Sequence, residues 1–298
     1  MLRNSAGNFR LTPRKIWTFT QRQIVQWTLL LRYAILNRTS RSPIIDGEGQ
    51  VIVSLTTFGM RLRTVYLALE SIAAGDSRPY GIILWVDAAD MSRAQSLSTL
   101  RRLRGRGLQI RAADASLGSH KKYYHFVHSA ESLDYPLVTA DDDIFYPSGW
   151  LASLVSAYRS GNGRMVVSSW VKRVSFEDCG FAPYDTWPSV NEVRTDARNY
   201  FMSGSGTIYP IALAARLREG GTEFMSCTPK ADDIWLNMQA ADGSFSVRQA
   251  LVRSLHIWSV PRSQRIKLST VNVIESLNDV QLSATFSPEL IQRVRSDR

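Results

Sequence analysis

Three consecutive carboxylates, Asp141-Asp142-Asp143, follow directly on the apolar run Leu137-Val138-Thr139-Ala140. Side by side they repel one another, and burying any of them unpaired costs several kcal/mol. A divalent cation offsets that cost. Mg2+ or Mn2+ prefers oxygen ligands and takes one or two carboxylates together with phosphate oxygens. In an extended segment alternate side chains share a face, which points Asp141 and Asp143 together and Asp142 away. An acidic surface turn is the alternative, although such turns seldom follow a buried parallel strand.

A second acidic pair, Asp232-Asp233, stands just before Ile234-Trp235-Leu236. Acids in a first helical turn cap the helix N-terminus. Two adjacent acids allow one to cap while the other takes a proton from a hydroxyl within hydrogen-bond reach.

The cations have a similar double reading. His120-Lys121-Lys122 follows Leu117-Gly118-Ser119 at a predicted helix start. Lys121 or Lys122, with the backbone N–H groups there, suits a diphosphate; a solvated basic face is the alternative. Arg61 and Arg63 are further candidates. Thr56, Thr57, Asp87 and Asp114 fall at predicted strand ends. There they suit a nucleobase and ribose, or serve as ordinary turn formers. Ser205-Gly206 lets backbone approach a ligand closely, or makes a tight turn. Trp170, Phe181, Tyr184 and Trp187 are either stacking surfaces for sugar rings or core. His125 and His128 share one predicted helix and read as structural.

The elements that must position these groups alternate. Val51 to Thr57 and Gly81 to Asp87 are β-branched, apolar runs that predict buried strands, with shorter strands at Leu108 to Ala112 and Tyr135 to Ala140. Helical periodicity is predicted between them over Arg61 to Ala74, Met91 to Arg104 and about His120 to Ser132. This rhythm requires crossover connections, hence an α/β fold with a mostly parallel central sheet and helices on both faces. Ligands bind beyond the carboxyl ends of such strands, where the polar clusters lie. The second half is less regular. Helices are predicted over Trp150 to Tyr158 and Asp232 to Ala241, and strands over Met165 to Val171 and Ser244 to Leu251. The last forty residues carry little pattern.

The net charge of +10 is unevenly placed. Residues 1–44 hold eight basic side chains and no acid, so the excess belongs to an arm and not to the body. Nucleic acid is therefore not an expected partner. The apolar stretch Ile24 to Leu36 is interrupted by Gln26, Thr28 and Arg32, too short and polar to span a bilayer. It reads as a basic amphipathic helix that lies on an anionic membrane surface. Docking on its own domain or on a partner is the equal alternative. Cys179 and Cys227 lack metal spacing and read as free thiols of a reducing compartment. The Asn37-Arg38-Thr39 sequon reads as chance. Residues 45–298 read as one catalytic domain, with a donor half to about 147 and an acceptor half from about 148.

Leu137 to Pro147 with Trp150 resembles the DXD region of GT-A nucleotide-sugar glycosyltransferases of the family 2 type. Val51 to Thr57 with Arg61 resembles their opening strand, and Ala231-Asp232-Asp233-Ile234-Trp235 their later acidic motif. The resemblance covers about residues 50–260. It implies a UDP- or GDP-sugar donor and a Mn2+ or Mg2+ cofactor. Asp141 and Asp142 then belong to the donor site, with Asp141 at the ribose or a metal-bound water and Asp143 on the metal. His256 is a candidate late metal ligand or, alternatively, a packed histidine. Asp233, ahead of Asp232, is implied as the base of an inverting transfer to a glycan or glycolipid acceptor. The family and the arm together imply surface glycan synthesis in the cytoplasm, peripheral to the membrane.

Three rivals predict other features. A phosphoesterase wants more carboxylates or histidines for a second metal, and clear ones are missing near residue 141. A nucleotidyltransferase opens with a Gly-rich loop, where Ser54 to Gly59 holds one glycine. A non-enzymatic surface binder depends wholly on the arm.

Overall fold

A computed structural model describes residues 13–128, 133–177, 180–261 and 277–297. Its centre is a seven-stranded sheet. Four strands come from the first half: β1 (Ile52–Thr57), β2 (Gly81–Asp87), β3 (Leu108–Ala113) and β4 (Leu137–Ala140). After a two-residue β5 (Ile144–Phe145), the second half adds β6 (Val166–Ser168), then β11 (Thr207–Tyr209) and β12 (Val247–Gln249). Between these lie the short strands β7 (Val171–Arg173), β8 (Phe176–Glu177), β9 (Gly180–Phe181) and β10 (Asn199–Phe201). The spatial order is β12-β6-β11-β4-β1-β2-β3. Only β11 runs against its neighbours, so the expected mostly parallel sheet is present.

Strand alternation divides the core. Val53, Leu55, Ile82, Leu84, Val138 and Ala140 point to one face. There they meet α2 (Val65–Ala73), α4 (Ser98–Arg104) and α6 (Trp150–Ser160) through Leu69, Leu103 and Leu154. Ile52, Ile83, Leu137 and Tyr209 point to the other. There they meet α5 (Lys121–His128), α7 (Ile211–Glu219) and α9 (Asp232–Asp242) through Phe126, Leu217 and Trp235. Each fully buried aliphatic or aromatic side chain contributes about 1.5–3 kcal/mol. This two-sided burial is what makes the strands read as continuous apolar runs.

Several predicted elements are shorter or divided. The stretch Met91 to Arg104 is two helices, α3 (Met91–Ser96) and α4, because Leu97 adopts an extended backbone between them. The predicted helix from Arg61 starts with a 3-10 turn, Gly59–Arg63, before α2. Met165 to Val171 is broken by a bend at Ser169-Trp170 into β6 and β7. The last positions of the helix predicted to Ser132, and Cys179, lie outside the described residues; Cys227 is a free thiol.

Two helices were not expected near the C-terminus, after the four-residue α8 (Phe224–Cys227): α10 (Leu277–Thr285) and α11 (Pro288–Ser296). Ser287 caps α11 by accepting from the Leu290 N–H, and Pro288 occupies its first turn. Their apolar side chains Leu282, Leu290 and Val294, with Phe286 from the link between them, close a third core around Tyr184, Trp187 and Tyr200.

Within the predicted arm, residues 13–39 form helix α1 (Pro13–Thr39), which packs on the α/β domain. Tyr33 stacks on Phe145 at 5.5 Å, and the Gln26 amide donates to Ser259 O at 2.8 Å in β13 (Trp258–Ser259). Asn37 is buried and donates to Glu70 at 2.8 Å. A folded chain therefore hides the side chain of the sequon.

Candidate active site

Register places the site. Leu55 of β1 pairs with Ala140 of β4, so Thr57 and Asp142, each two residues further on, come side by side. The Thr57 hydroxyl donates to Asp142 at 2.6 Å, and Arg61, from the turn after β1, reaches its other oxygen at 2.7 Å. Arg61 also lies 3.3 Å from Asp143. The acidic triplet is a turn and not the extended segment expected. Asp142 is turned into the protein, and Asp141 points the other way, to Lys122 Nζ at 2.8 Å.

Because β11 is antiparallel to β4, with Thr207 opposite Thr139, the residues before β11 come to the same edge. They form a 3-10 turn, Ser203–Ser205. Lys122 Nζ lies 3.3 Å from Asp232 and 3.4 Å from the Ser203 hydroxyl, which donates to Asp232 at 2.8 Å. The Ser203 N–H donates to Asp233 at 2.7 Å. Asn237, one turn into α9, donates to Phe201 O at 2.9 Å and accepts from its N–H at 3.0 Å. This paired contact fixes the start of α9 against the 3-10 turn. One lysine thus ties the acidic triplet to the acidic pair.

The protonation tendencies differ between the carboxylates. Burial raises Asp143 to about 6, reinforced by the Asp141 charge and opposed by Arg61. Burial also raises Asp142, against Arg61 and the Thr57 hydroxyl. Burial would raise Asp232 too, but Lys122 and His120 outweigh it and hold the carboxyl below its usual range. Burial raises Asp233 to about 7, reinforced by Asp232. Neighbouring acids with divergent tendencies are the arrangement from which a base and its fixed partner are made. Burial lowers His120 to about 4, so it is neutral. Its Nε2–H donates to Thr228 O at 2.8 Å, leaving Nδ1 to accept from the Tyr123 hydroxyl. The Thr228 contact pins the start of α5 beside the end of α8.

Other predicted residues lie apart from this network or serve the frame. Lys121 is buried and pairs with Asp87 at the end of β2, so the two lysines do not form a solvated face. Phe58 lies 5.7 Å from both Lys121 Nζ and the Arg61 guanidinium. Thr56 donates to Trp85 O at 3.2 Å and clips β1 to β2. Asp114 is exposed and caps its own turn through the Ser116 N–H at 2.9 Å. Arg63 is exposed. His256 is exposed, with its ring edge-on to Trp258 at 4.2 Å. Tyr184 and Trp187 are buried core, and Phe181 packs edge-on to Phe286 at 5.1 Å. Only Trp170 of that aromatic set is an open ring, held by its N–H to Ser189 at 3.0 Å.

The sequence reading missed Ser203, Asn237 and Tyr146. The Tyr146 hydroxyl accepts from the Asp141 N–H at 2.7 Å and donates to Gly204 O at 2.8 Å, joining the triplet to the 3-10 turn. Gly204, which the sequence reading did not single out, is a position of close approach alongside Gly206. A Cβ on Gly204 would stand 2.0 Å from Asp141 Oδ2, whereas Gly206 (φ +107°) backs onto Trp150.

Among the described residues no group of three His, Cys, Asp or Glu is arranged to hold a metal. Mg2+ or Mn2+ bound with a diphosphate needs only one or two carboxylates. Of the five carboxylates at residues 141–143 and 232–233, four lie within ion-pair distance of Arg61 or Lys122, and burial raises Asp143 toward protonation. Asp141 keeps a side chain 36% exposed. Asp141 and Asp143 are the residues that would hold such a cation together with phosphate, whereas both oxygens of Asp142 are taken by Thr57 and Arg61.

No protein-family model matches the sequence, and no curated protein matches it. Solved structures do. S. aureus TarS residues 1–349 aligns with a TM-score of 0.50 and 16% identity, over 83% of this chain and 70% of that one. The same protein in complex with UDP-GlcNAc aligns at 0.47 and 16%, over 82% and 70%. A 4-diphosphocytidyl-2C-methyl-D-erythritol synthase from Anaerococcus prevotii aligns at 0.47 and 12%, over 79% and 100%. At such identities the likeness concerns the backbone alone. With its sheet order, its crossovers and this likeness to TarS, the chain has a GT-A-like α/β fold.

Proposed function

We propose that the chain is an inverting, metal-dependent glycosyltransferase that moves a sugar from a UDP- or GDP-sugar to a hydroxyl of a glycan or glycolipid in cytoplasmic surface-glycan synthesis. The observation that carries this reading is the contrast within the acidic pair. Asp232 is held ionised by Lys122, while Asp233, beside it and partly open, has its proton affinity raised to about 7. A carboxylate poised near neutrality is suited to take a hydroxyl proton.

In this reading Asp233 accepts the proton of the acceptor hydroxyl. The acceptor oxygen forms a bond to the anomeric carbon from the side opposite the diphosphate. The bond from that carbon to the diphosphate oxygen breaks, and the nucleoside diphosphate leaves with the electron pair. Arg61 and Lys122 face the charge that grows there. Mg2+ or Mn2+ held by Asp143 and Asp141 would supply further neutralisation of the diphosphate. Asp232 with Ser203 keeps Lys122 and the start of α9 in place. Trp170, open beside the strand end, is the candidate platform for an acceptor ring.

The test is nucleoside diphosphate release from a panel of nucleotide sugars with Mn2+, Mg2+ or chelator. Metal-dependent release of UDP or GDP, increased by acceptor, is expected. Turnover of no nucleotide sugar would overturn the proposal, and pyrophosphate release from a nucleoside triphosphate would move the chain to the nucleotidyltransferases.

A further inference from the structure

Helix α1 has two apolar sides. The docked side carries Gln26, Leu29, Leu30, Tyr33, Leu36 and Asn37, at the three- and four-residue spacing of one helical face. The other carries Trp17, Ile24, Leu31 and Ile35, with Trp27 beside them. These are 64%, 60%, 61%, 50% and 45% exposed. At about 100° per residue, Ile24 and Tyr33 lie half a turn apart, so the open stripe is diametrically opposite the docked one. Trp17, Ile24 and Leu31 repeat every seven residues, which keeps them in line. Single exposed apolar residues are ordinary, but a continuous stripe marks a surface that something covers.

Charge identifies the occupant. Residues 1–44 contain eight basic side chains and no acidic one, and Arg22, Arg32 and Arg38 are exposed on the helix. A second copy of the helix would bring like charge against like charge. An anionic bilayer surface satisfies both halves of the pattern. Tryptophan favours the headgroup level, aliphatic side chains the acyl boundary, and arginine the lipid phosphates. No described helix is long and apolar enough to cross a membrane.

We propose that α1 is a two-sided adaptor: its inner face is fixed to the α/β domain and its outer face lies in the surface of an anionic bilayer. The inner face reaches close to the acidic triplet. Gln26 holds Ser259 of β13, which pairs with β5, and the Val260 N–H donates to Asp143 O at 2.8 Å. Lipid binding would therefore set the orientation of the sheet edge that carries the acidic triplet relative to the bilayer. This inference stands apart from the transfer reaction and does not rest on it.

The test is co-sedimentation of the full chain with vesicles of phosphatidylcholine, alone or mixed with phosphatidylglycerol, at low and high salt. Binding to the anionic vesicles, weakened by salt, is expected. Ile24→Gln with Leu31→Gln should lower that binding at least about tenfold. Because both side chains point away from the domain, the unfolding midpoint should not move. Absence of binding to anionic vesicles, or a double variant that binds like the parent, would overturn the proposal. So would a stable dimer in light scattering that the double variant dissolves, since the covering partner would then be a second copy.

Discussion

The two halves of the sheet treat their carboxylates differently. In the first half each site acid meets a cation: Asp87 meets Lys121, Asp142 meets Arg61, and Asp141 meets Lys122. In the second half Asp232 shares Lys122 with Asp141, and among the described residues no ion pair reaches Asp233. The paired acids are held in place by their cations, which suits a binding surface. The acid without a cation suits proton transfer, where both protonation states must be accessible. Lys122 stands at the boundary and belongs to both halves.

The largest expected effect breaks that contrast at Asp233. Asp233→Asn should lower kcat by about 10^2–10^4 in steady-state transfer while leaving donor affinity unchanged. For the unmodified chain, transfer should fall as pH drops through about 7, because the base is then protonated. Lys122→Met removes the shared cation and leaves buried carboxylates uncompensated. It should cost about 3–5 kcal/mol in denaturant unfolding, with the loss greatest above the carboxylate range.

A smaller effect has the opposite sign. Asp233 has a folded-state proton affinity above that of an unfolded aspartate, so folding takes up a proton between about pH 4 and 7. The group therefore detracts from stability as pH rises through its folded value. Asp233→Asn should stabilise the chain by about 1–2 kcal/mol at pH 8, allowing for its partly open carboxylate, and by nothing near pH 4. Thermal melts at both pH values check this. An inactive variant more stable than its parent would show that the acid is kept for chemistry and not for folding.

Gly204→Ala should weaken donor binding about tenfold in calorimetry, because the new methyl group displaces Asp141. Trp170→Ala should raise the acceptor KM by about threefold to thirtyfold in steady-state transfer.

The same division explains how much could be read from sequence. The first four strands and α2 are legible because burial on two faces yields long β-branched runs broken by glycine and proline. The second half relies on three-residue strands secured by side chains. Asn199 donates to Val247 O at 2.8 Å and Gln249 accepts from the Val171 N–H at 3.2 Å, contacts that leave no periodic trace. The acidic triplet, the acidic pair and Lys122 were identifiable as residue types whose charge demands partners. Ser203, Asn237 and Tyr146 were not, since a lone hydroxyl or amide acquires its role only when a distant segment folds against it. The C-terminal helices did carry a signal, Ser287-Pro288-Glu289, a capping serine followed by residues favoured in a first turn. For α1, apolar residues on opposite sides blur the one-sided pattern by which a surface helix is recognised. The choice between a membrane surface and docking on its own domain or a partner was thus left open, and the structure docks one face on the domain.

Calorimetric titration of the nucleotide sugar that supports turnover, with Mn2+, into Asp143→Asn and Asp233→Asn tests the division most directly. Donor affinity should collapse in the first variant and match the parent in the second. Equal loss in both, or loss confined to Asp233→Asn, would contradict a donor-binding triplet facing a separate catalytic base.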